Sequence, residues 1–207
     1  TSSTSDDMGQ VVVTEQEAVY VVGEYRSQLN ISNIVLNHSG NTDIYIAKYS
    51  TNGTSLWAKR AGGLGLDSVS SASISSLGLY IGGSFSGNAT FGNRTLQSVG
   101  GSDIFIAEYN SDGELLFVQQ AGGSGDEKIA GVSGIANSTS LFISGTFSQN
   151  ITFGNFSITS NGSSDIFMVR YDVLNSTVVP PEPSVAASSS PAIASSSEYS
   201  STLVQSL

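Results

Sequence analysis

The 207-residue chain contains no cysteine and a single histidine, His38. Without thiols it forms no disulfide and offers no cysteine nucleophile, and one histidine cannot build a thiolate or multi-histidine zinc site. Basic residues are also scarce, since 7 Lys and Arg stand against 17 Asp and Glu, for a formal net charge of -10. Such a chain has no positive field to hold a phosphate backbone, so nucleic acid is not expected as a partner.

Long apolar runs are missing as well. The longest ones, such as Ala18–Val22, fall far short of the ~20 residues of a membrane span, so no span is expected. The chain has neither an initiating methionine nor a signal peptide with a basic start, and we expect a mature product or an excised piece. Charged residues make up only 12% of it, so Ser, Thr and Asn supply most of the polarity.

The asparagines are concentrated in N-x-Ser/Thr sequences. Ser and Thr fill 54 of 207 positions, so about 3 of the 13 asparagines should open such a sequence by chance, yet 10 do. They are Asn30, Asn37, Asn52, Asn88, Asn93, Asn137, Asn150, Asn155, Asn161 and Asn175. A turn-rich composition would explain part of this excess. We favour selection for N-linked glycans, which places the protein outside the cell or on its surface.

An internal repeat of about sixty residues covers most of the chain. The segments DIYIAKY, DIFIAEY and DIFMVRY begin at Asp43, Asp103 and Asp165, which lie 60 and 62 residues apart. Each is preceded by a second shared segment, VYVVGEY, LYIGGSF or LFISGTF. Two TFGN segments, beginning at Thr90 and Thr152, also match.

Each repeat is predicted to be all-β. In Asp103–Tyr109 the branched and aromatic side chains alternate with period two, which indicates a strand. Asn52-Gly53 and Asp112-Gly113 supply hairpin turns. Four strands fit each repeat; in the second they are predicted at 68–75, 79–85, 103–109 and 115–121. The TFGN segment in the long connection is predicted to form an extra hairpin.

The repeat resembles a known family. The pattern GSDIFIAEYNSDGELLFVQQAGGSGDE (101–127), followed by LFISGTFSQNITFG (141–154), resembles the bacterial-type β-propeller repeat of secreted and cell-surface proteins. The resemblance covers about 160 residues and implies blades of four antiparallel strands, about three of them, in an incomplete ring. It implies little about function. The many sequons depart from a typical bacterial member and suggest a eukaryotic secretory product.

The predicted organisation has three parts. Residues 1–9 form an N-terminal lead-in, 10–179 the propeller-like repeats (blades about 10–63, 64–123 and 124–179), and 180–207 a Ser/Pro/Ala-rich tail or linker. A propeller ring takes ~4–8 blades, so three blades would leave sheet faces and edges open. Assembly between subunits, a fragment of a longer chain and a non-ring stack of sheets remain alternatives. We hypothesise that the tail adds a strand to a neighbouring copy.

Three acidic residues, Asp43, Asp103 and Asp165, occupy one repeat position just before a strand. A ring of carboxylates could bind Ca²⁺ or another ligand. However, an Asp that follows Gly or Ser also accepts hydrogen bonds from nearby backbone amides in turns. We favour turn chemistry, because a feature present in every repeat is more often structural.

The glycine-rich loops AGGLGLD and AGGSGDE carry Asp67 and the pair Asp126-Glu127. Calcium takes six or more oxygen ligands, so two clustered carboxylates argue against a site. We expect the glycines to allow tight turns between blades, and we expect no metal or cofactor besides N-linked glycans. His38 is expected at the surface of a polar loop.

Aromatic residues also recur at matching positions, namely Trp57 with Phe117, and Tyr49 with Tyr109 and Tyr171. Stacking on sugars is one interpretation; packing between blades is the one we favour. The sequence therefore predicts a non-enzymatic, glycosylated extracellular structural protein. It would assemble with other copies of itself, as a filament or surface coat, by inter-subunit strand addition. A glycan-binding, adhesive propeller module is the alternative, and a fragment of a larger secreted protein is the third.

Overall fold

The computed structural model describes residues 8–15, 17–75, 78–135, 138–172 and 177–179. Within these ranges the chain forms β-strands and no helix. No helix long and apolar enough to cross a membrane is therefore found in this part of the chain. The prediction of an all-β fold is confirmed. The predicted tail, 180–207, and the first seven residues of the predicted lead-in lie outside the described residues.

The strands are short and follow each other closely. They are β1 (Met8–Glu15), β2 (Ala18–Tyr25), β3 (Leu29–Ile31), β4 (Ile34–Leu36), β5 (Asp43–Ser50), β6 (Ser55–Gly63), β7 (Asp67–Ile74), β8 (Leu79–Phe85), β9 (Asn88–Phe91), β10 (Arg94–Gln97), β11 (Asp103–Tyr109), β12 (Leu115–Ala121), β13 (Glu127–Gly134), β14 (Ser140–Phe147), β15 (Asn150–Phe153), β16 (Phe156–Thr159), β17 (Asp165–Asp172) and β18 (Thr177–Val179). The four strands predicted for the second repeat match β7, β8, β11 and β12 to within one residue, and β9–β10 and β15–β16 are the predicted TFGN hairpins.

Three larger antiparallel sheets follow one another along the chain. The first contains β1-β2-β5-β6 and continues into β9-β10, the second has the order β7-β8-β11-β12, and the third β13-β14-β17-β18. The hairpins β3–β4 and β15–β16 form two small sheets of their own. Each larger sheet is thus a meander with a hairpin inserted between its second and third strands, and within the described ranges no sheet closes on itself.

The third and fourth strands are joined by the predicted hairpin turns. Gly53 and Gly113 adopt φ values of 84° and 75°, which glycine reaches without a steric penalty. The amide of Gly53 donates to the carbonyl of Ser50 at 2.9 Å, and that of Gly113 to the carbonyl of Asn110 at 3.0 Å. The Asn-Gly and Asp-Gly pairs therefore mark the hairpin positions as expected. The turns are not of the primed type that these pairs favour, because positive φ occurs at the glycine and not at Asn52 or Asp112.

Each larger sheet has a β-bulge in its first strand. The extra residues are Gln10, Ser70 and Ala130. Opposite the last two bulges, Gly83 and Gly145 are crossed closely by backbone. A Cβ on Gly83 would overlap the carbonyl oxygen of Ser68, and one on Gly145 that of Lys128. Glycine is therefore required where the bulged strand approaches its neighbour.

The core lies between successive sheets. We call the side of a sheet that turns toward the next sheet in the chain its forward face, and the opposite side its backward face. The forward face of the first sheet packs on the backward face of the second through Tyr20, Val22, Ile44, Ile46, Leu79, Ile81, Phe85, Phe105, Ala107 and Tyr109. The second sheet packs on the third through Tyr80, Ile104, Ile106, Leu141, Ile143, Phe147, Phe167, Val169 and Tyr171.

Backbone contacts also tie the sheets together. Strand β9 pairs with β6 of the first sheet, and the amide of Thr152 donates to the carbonyl of Gly122 at 2.9 Å at the matching place in the next pair. A Cβ on Gly63 would overlap the carbonyl oxygen of Asn88, as one on Gly123 would overlap that of Asn150. The prediction that these glycines permit tight approach between repeats is thus confirmed.

Candidate functional site

Eight of the ten predicted glycosylation asparagines belong to the described residues, whereas Asn137 and Asn175 lie outside them. The exposed ones are Asn30, Asn37, Asn52, Asn88, Asn93, Asn155 and Asn161. Asn150 is half-buried, and its Oδ1 accepts from the Ser124 hydroxyl at 2.8 Å. A glycan needs a side chain that reaches solvent, and these seven meet that requirement.

Local structure explains why asparagine suits these places. Asn93 and Asn155 lie in the two-residue turns of β9–β10 and β15–β16. In the turn before β6, the Oδ1 of Asn52 accepts from the Ser50 hydroxyl at 2.5 Å and from the Thr54 amide at 3.1 Å. Such bonds use the acceptor of the amide side chain, whereas a glycan is attached through Nδ2. Turn formation and glycan attachment are therefore compatible at this residue.

The repeated aspartates perform turn chemistry. The Oδ2 of each accepts from the amide four residues earlier, Ser39 for Asp43 at 2.6 Å and Val99 for Asp103 at 3.1 Å. Asp165 accepts in the same way from the Asn161 amide at 2.6 Å. The interpretation of these residues as structural turn formers is confirmed.

A second carboxyl lies beside each of the first two aspartates. Asp67 is fully buried at the start of β7, where its Oδ2 accepts from the Gly63 amide at 2.7 Å. A Cβ on Gly62 would overlap Asp43 Oδ1 and lie 2.8 Å from Asp67 Oδ2, so the two carboxyls share one small space. Arg60 pairs with Asp43 at 2.9 Å. The structure thus brings together residues that the sequence left in separate motifs.

The second sheet has the corresponding pair, Asp103 and Glu127, both fully buried. Glu127 Oε2 accepts from the Gly123 amide at 3.1 Å. Burial disfavours the charged form and raises the pKa of Glu127 to about 7, and the charge of Asp103 adds to the shift. Burial, assisted by Asp43, likewise raises the pKa of Asp67 to about 7.

These shifts predict that the protein is more stable at pH 5.5 than at pH 8. The unfolded chain releases both protons near pH 4, whereas the folded chain retains them to about pH 7. Stability is therefore lost as the pH rises from about 4 to about 7, by on the order of a few kcal/mol. Denaturant unfolding at several pH values, all above the pI of about 4.2, measures the loss.

The isosteric variants Asp67→Asn and Glu127→Gln should each weaken this pH dependence, because the new side chain does not titrate and still accepts the loop amide. Burial also raises the pKa of Asp103 and Glu108, so part of the dependence should remain. Asp112→Asn, at an exposed turn residue, is the matched control and should leave the profile unchanged. A wild-type protein that becomes more stable between pH 5.5 and pH 8 would contradict the assignment.

These carboxyls do not form a metal site in the described ranges, because nowhere there do three His, Asp or Glu side chains lie close enough together to hold an ion. Asp126, the other acidic residue of its glycine-rich loop, is exposed, and its Oδ1 accepts from the Ser102 amide at 3.1 Å. Like Asp67 and Glu127, it accepts a hydrogen bond from a backbone amide and so stabilises a loop.

Four of the five repeated aromatics pack between the larger sheets, whereas Tyr49 lies half-buried on the backward face of the first sheet. Tyr109 and Tyr171 are buried, and Phe117 stacks on Tyr171 with ring centroids 5.7 Å apart. Trp57 is half-buried and packs edge-on against Tyr20, and its Nε1 donates to the Ser111 carbonyl at 2.9 Å. The packing interpretation is confirmed for these residues.

The surface position predicted for His38 is wrong. Its side chain is half-buried with its ring edge-on to Tyr25, 5.8 Å between centroids. The Tyr25 hydroxyl donates to the Asn37 carbonyl at 2.9 Å and so draws the loop onto the first sheet. A polar loop sequence gives no sign of such an anchor.

Two sheet faces have no neighbouring larger sheet among the described residues. The third-sheet outward face, its forward face, consists of Phe142, Ser144, Thr146, Ile166, Met168 and Arg170. The first-sheet outward face, its backward face, includes Val12, Val19, Val21, Ala47 and Tyr49. Ala47 is buried against the β3–β4 hairpin, which covers part of this face, whereas Val12 is exposed. Alternation along each strand predicts such faces, but only the order of the sheets reveals which two lack a neighbouring larger sheet in the described part of the chain.

Comparison with protein-family models finds no match to this chain, and comparison with curated proteins finds none either.

Proposed function

We infer that the protein is a non-enzymatic, glycosylated extracellular structural component that associates with other copies of itself, as a filament or a surface coat. The observation that carries this proposal is the division of its surface. Sequon asparagines occupy exposed turns and hairpins, whereas apolar residues occupy the two outward sheet faces.

Glycosylation is supported by the placement of the sequons. Seven of the eight described sequon asparagines are exposed, and only 12% of the chain is charged. Glycans are bulky and strongly hydrated, so they would supply the solubility that ions supply on other proteins. The secretory pathway, where sequons are modified, leads to the extracellular location that we propose.

Self-association is supported by the apolar surface. Ile166 and Met168 are exposed on the third-sheet outward face, and Val12 is exposed on the first. Contiguous exposed apolar residues mark interaction sites more often than isolated ones do. Among the described residues each larger sheet ends in an edge strand such as β18, and we propose that residues 180–207 add a strand to an edge of a neighbouring copy.

The finer description of the fold belongs to the same proposal. We propose that the three larger sheets are propeller-like blades of an incomplete ring. Their first strands support this, because β7 bonds to β13 through Ser71 Oγ, which accepts from the Val132 amide at 2.9 Å, and Ser73 Oγ, which accepts from the Gly134 amide at 3.1 Å. First strands that meet side by side are what a propeller centre requires.

The test is to secrete the full chain from a eukaryotic host and to examine it by intact-glycopeptide mass spectrometry and electron microscopy. We expect glycans on the exposed sequons and ordered assemblies in the images. The asparagines outside sequons, Asn33, Asn41 and Asn110, are the internal controls and should be unmodified. A bare monomer at high concentration would refute the proposal, and unchanged assembly after deletion of 180–207 would refute the strand-addition step.

A further inference from the structure

The two interfaces inside the molecule show what covers a forward face. Ile44 and Ile46 of the first sheet are completely buried by the second sheet, and Ile104 and Ile106 of the second are buried by the third. In both cases the covering surface is the backward face of another sheet of the same kind. The two internal interfaces therefore show which kind of surface packs on a forward face.

The third-sheet outward face has apolar residues at the corresponding positions, but no described sheet covers them. Ile166 corresponds to Ile104 in the repeat, and Met168 corresponds to Ile106. Ile104 is 0% exposed and Ile106 4%, whereas Ile166 is 49% exposed and Met168 38%. Strand type and repeat position are the same, so the difference arises because no sheet of the described residues lies against this face.

The first-sheet outward face is the complementary surface. Val12 pairs with Val21 as Val132 pairs with Ile143, so Val12 and Val132 correspond. Val132 is 6% exposed and packs over Gly82 of the second sheet, whereas Val12 is 61% exposed. A sheet placed against it would bury Val12 as the second sheet buries Val132.

A basic side chain that reaches from one sheet to a turn of the next sheet fits the same packing of forward face on backward face. Lys48 reaches forward from the first sheet, and its Nζ donates to the Ser111 carbonyl in a turn of the second at 3.0 Å. Arg170 occupies the corresponding position of the third sheet; its side chain is half-buried, and its Nε, itself buried, has no hydrogen-bond partner among the described residues. The turn residue that corresponds to Ser111 is Thr51, which is exposed.

We propose that the third-sheet outward face of one molecule packs on the first-sheet outward face of a second copy, with Arg170 directed to the Thr51 carbonyl. This proposal rests on the self-association proposed above and names its surfaces. The contact is heterologous, so repeated it builds a closed ring or an open filament.

Glycans need not obstruct this contact. The sequon residues Asn30 and Asn52 of the first sheet correspond to Thr90 and Asp112 of the second, which stay exposed although the first sheet packs against it. Sugars on Asn30 and Asn52 would therefore extend beside the interface. The third-sheet outward face itself contains no sequon asparagine.

The experiment uses two variants of the secreted full chain, Ile166→Glu and Val12→Glu, each of which blocks one face with a charge. Both positions are exposed, so far-UV circular dichroism and melting should show folded proteins. Sedimentation velocity should show each variant as a monomer, with association weakened at least about 30-fold, the loss typical of a central interface residue. Mixed together, the two should form a 1:1 dimer, because one intact face of each kind remains.

The outcomes separate the two proposals. A wild-type protein that stays monomeric refutes self-association, and this inference with it. A wild-type protein that assembles while both variants also assemble refutes the assigned faces and leaves self-association standing. Loss of assembly without heterodimers on mixing refutes the head-to-tail arrangement. Monomeric variants that combine one to one support it.

Discussion

Replacing Gly83 with alanine is expected to lower the free energy of unfolding by about 3–5 kcal/mol. The added methyl group would overlap the carbonyl oxygen of Ser68 and lie 2.9 Å from Phe105 Cε1. Neither neighbour can yield cheaply, because Ser68 belongs to the bulged strand β7 and Phe105 is fully buried. Equilibrium unfolding in denaturant, followed by the fluorescence of the single tryptophan, Trp57, measures the loss.

Gly131→Ala is the matched control, since Gly131 also lies in a strand but has only Ser144 Oγ near its Cβ position, at 3.4 Å. We expect a change within about 1 kcal/mol, with a stabilising contribution from the reduced freedom of the unfolded chain. Gly145→Ala should repeat the large loss, because the same carbonyl approach occurs there. Equal effects of Gly83→Ala and Gly131→Ala would show that the bulge does not require glycine.

The strands were predictable because alternation and turn residues are local signals. Asp103–Tyr109 reads as a strand from its branched and aromatic residues alone, and Asp112-Gly113 marks its turn. The bulges were not predictable, since an extra residue appears only when two strands are paired. The bulge in β12 places Leu116 opposite no partner, and its side chain is 49% exposed, although apolar patterning would bury it.

The candidate site divides in the same way. Sequon asparagines and turn aspartates are recognisable one by one, because each depends on residues within four positions. The carboxyl pair Asp43 and Asp67 depends on a loop that returns to the next sheet, so the sequence offers no direct signal for it. The attachment of β9 to β6 is similarly a property of the stacked sheets. The repeat shows which residues correspond between sheets. Only the order of the sheets in the structure shows that corresponding residues differ in burial.

Ile104→Ala and Ile166→Ala, one substitution at two corresponding positions, should have very different effects. Ile104 is enclosed between the second and third sheets, so its truncation leaves a cavity and should cost about 2–5 kcal/mol. Ile166 lies on the open third-sheet outward face, and its truncation should cost less than about 1 kcal/mol. Denaturant unfolding of both variants at low, monomeric concentration provides the comparison.

The pair is informative because side chain, strand and repeat position are matched, so only the covering sheet differs. Equal losses at low concentration would mean that Ile166 is already covered within the soluble chain, and that its open face does not exist there. When the protein is raised to concentrations at which the wild type assembles, Ile166 should become buried by the second copy. Ile166→Ala should then weaken assembly, whereas a folded Ile104→Ala protein should assemble through unchanged faces, and this reversal separates an interface residue from a core residue.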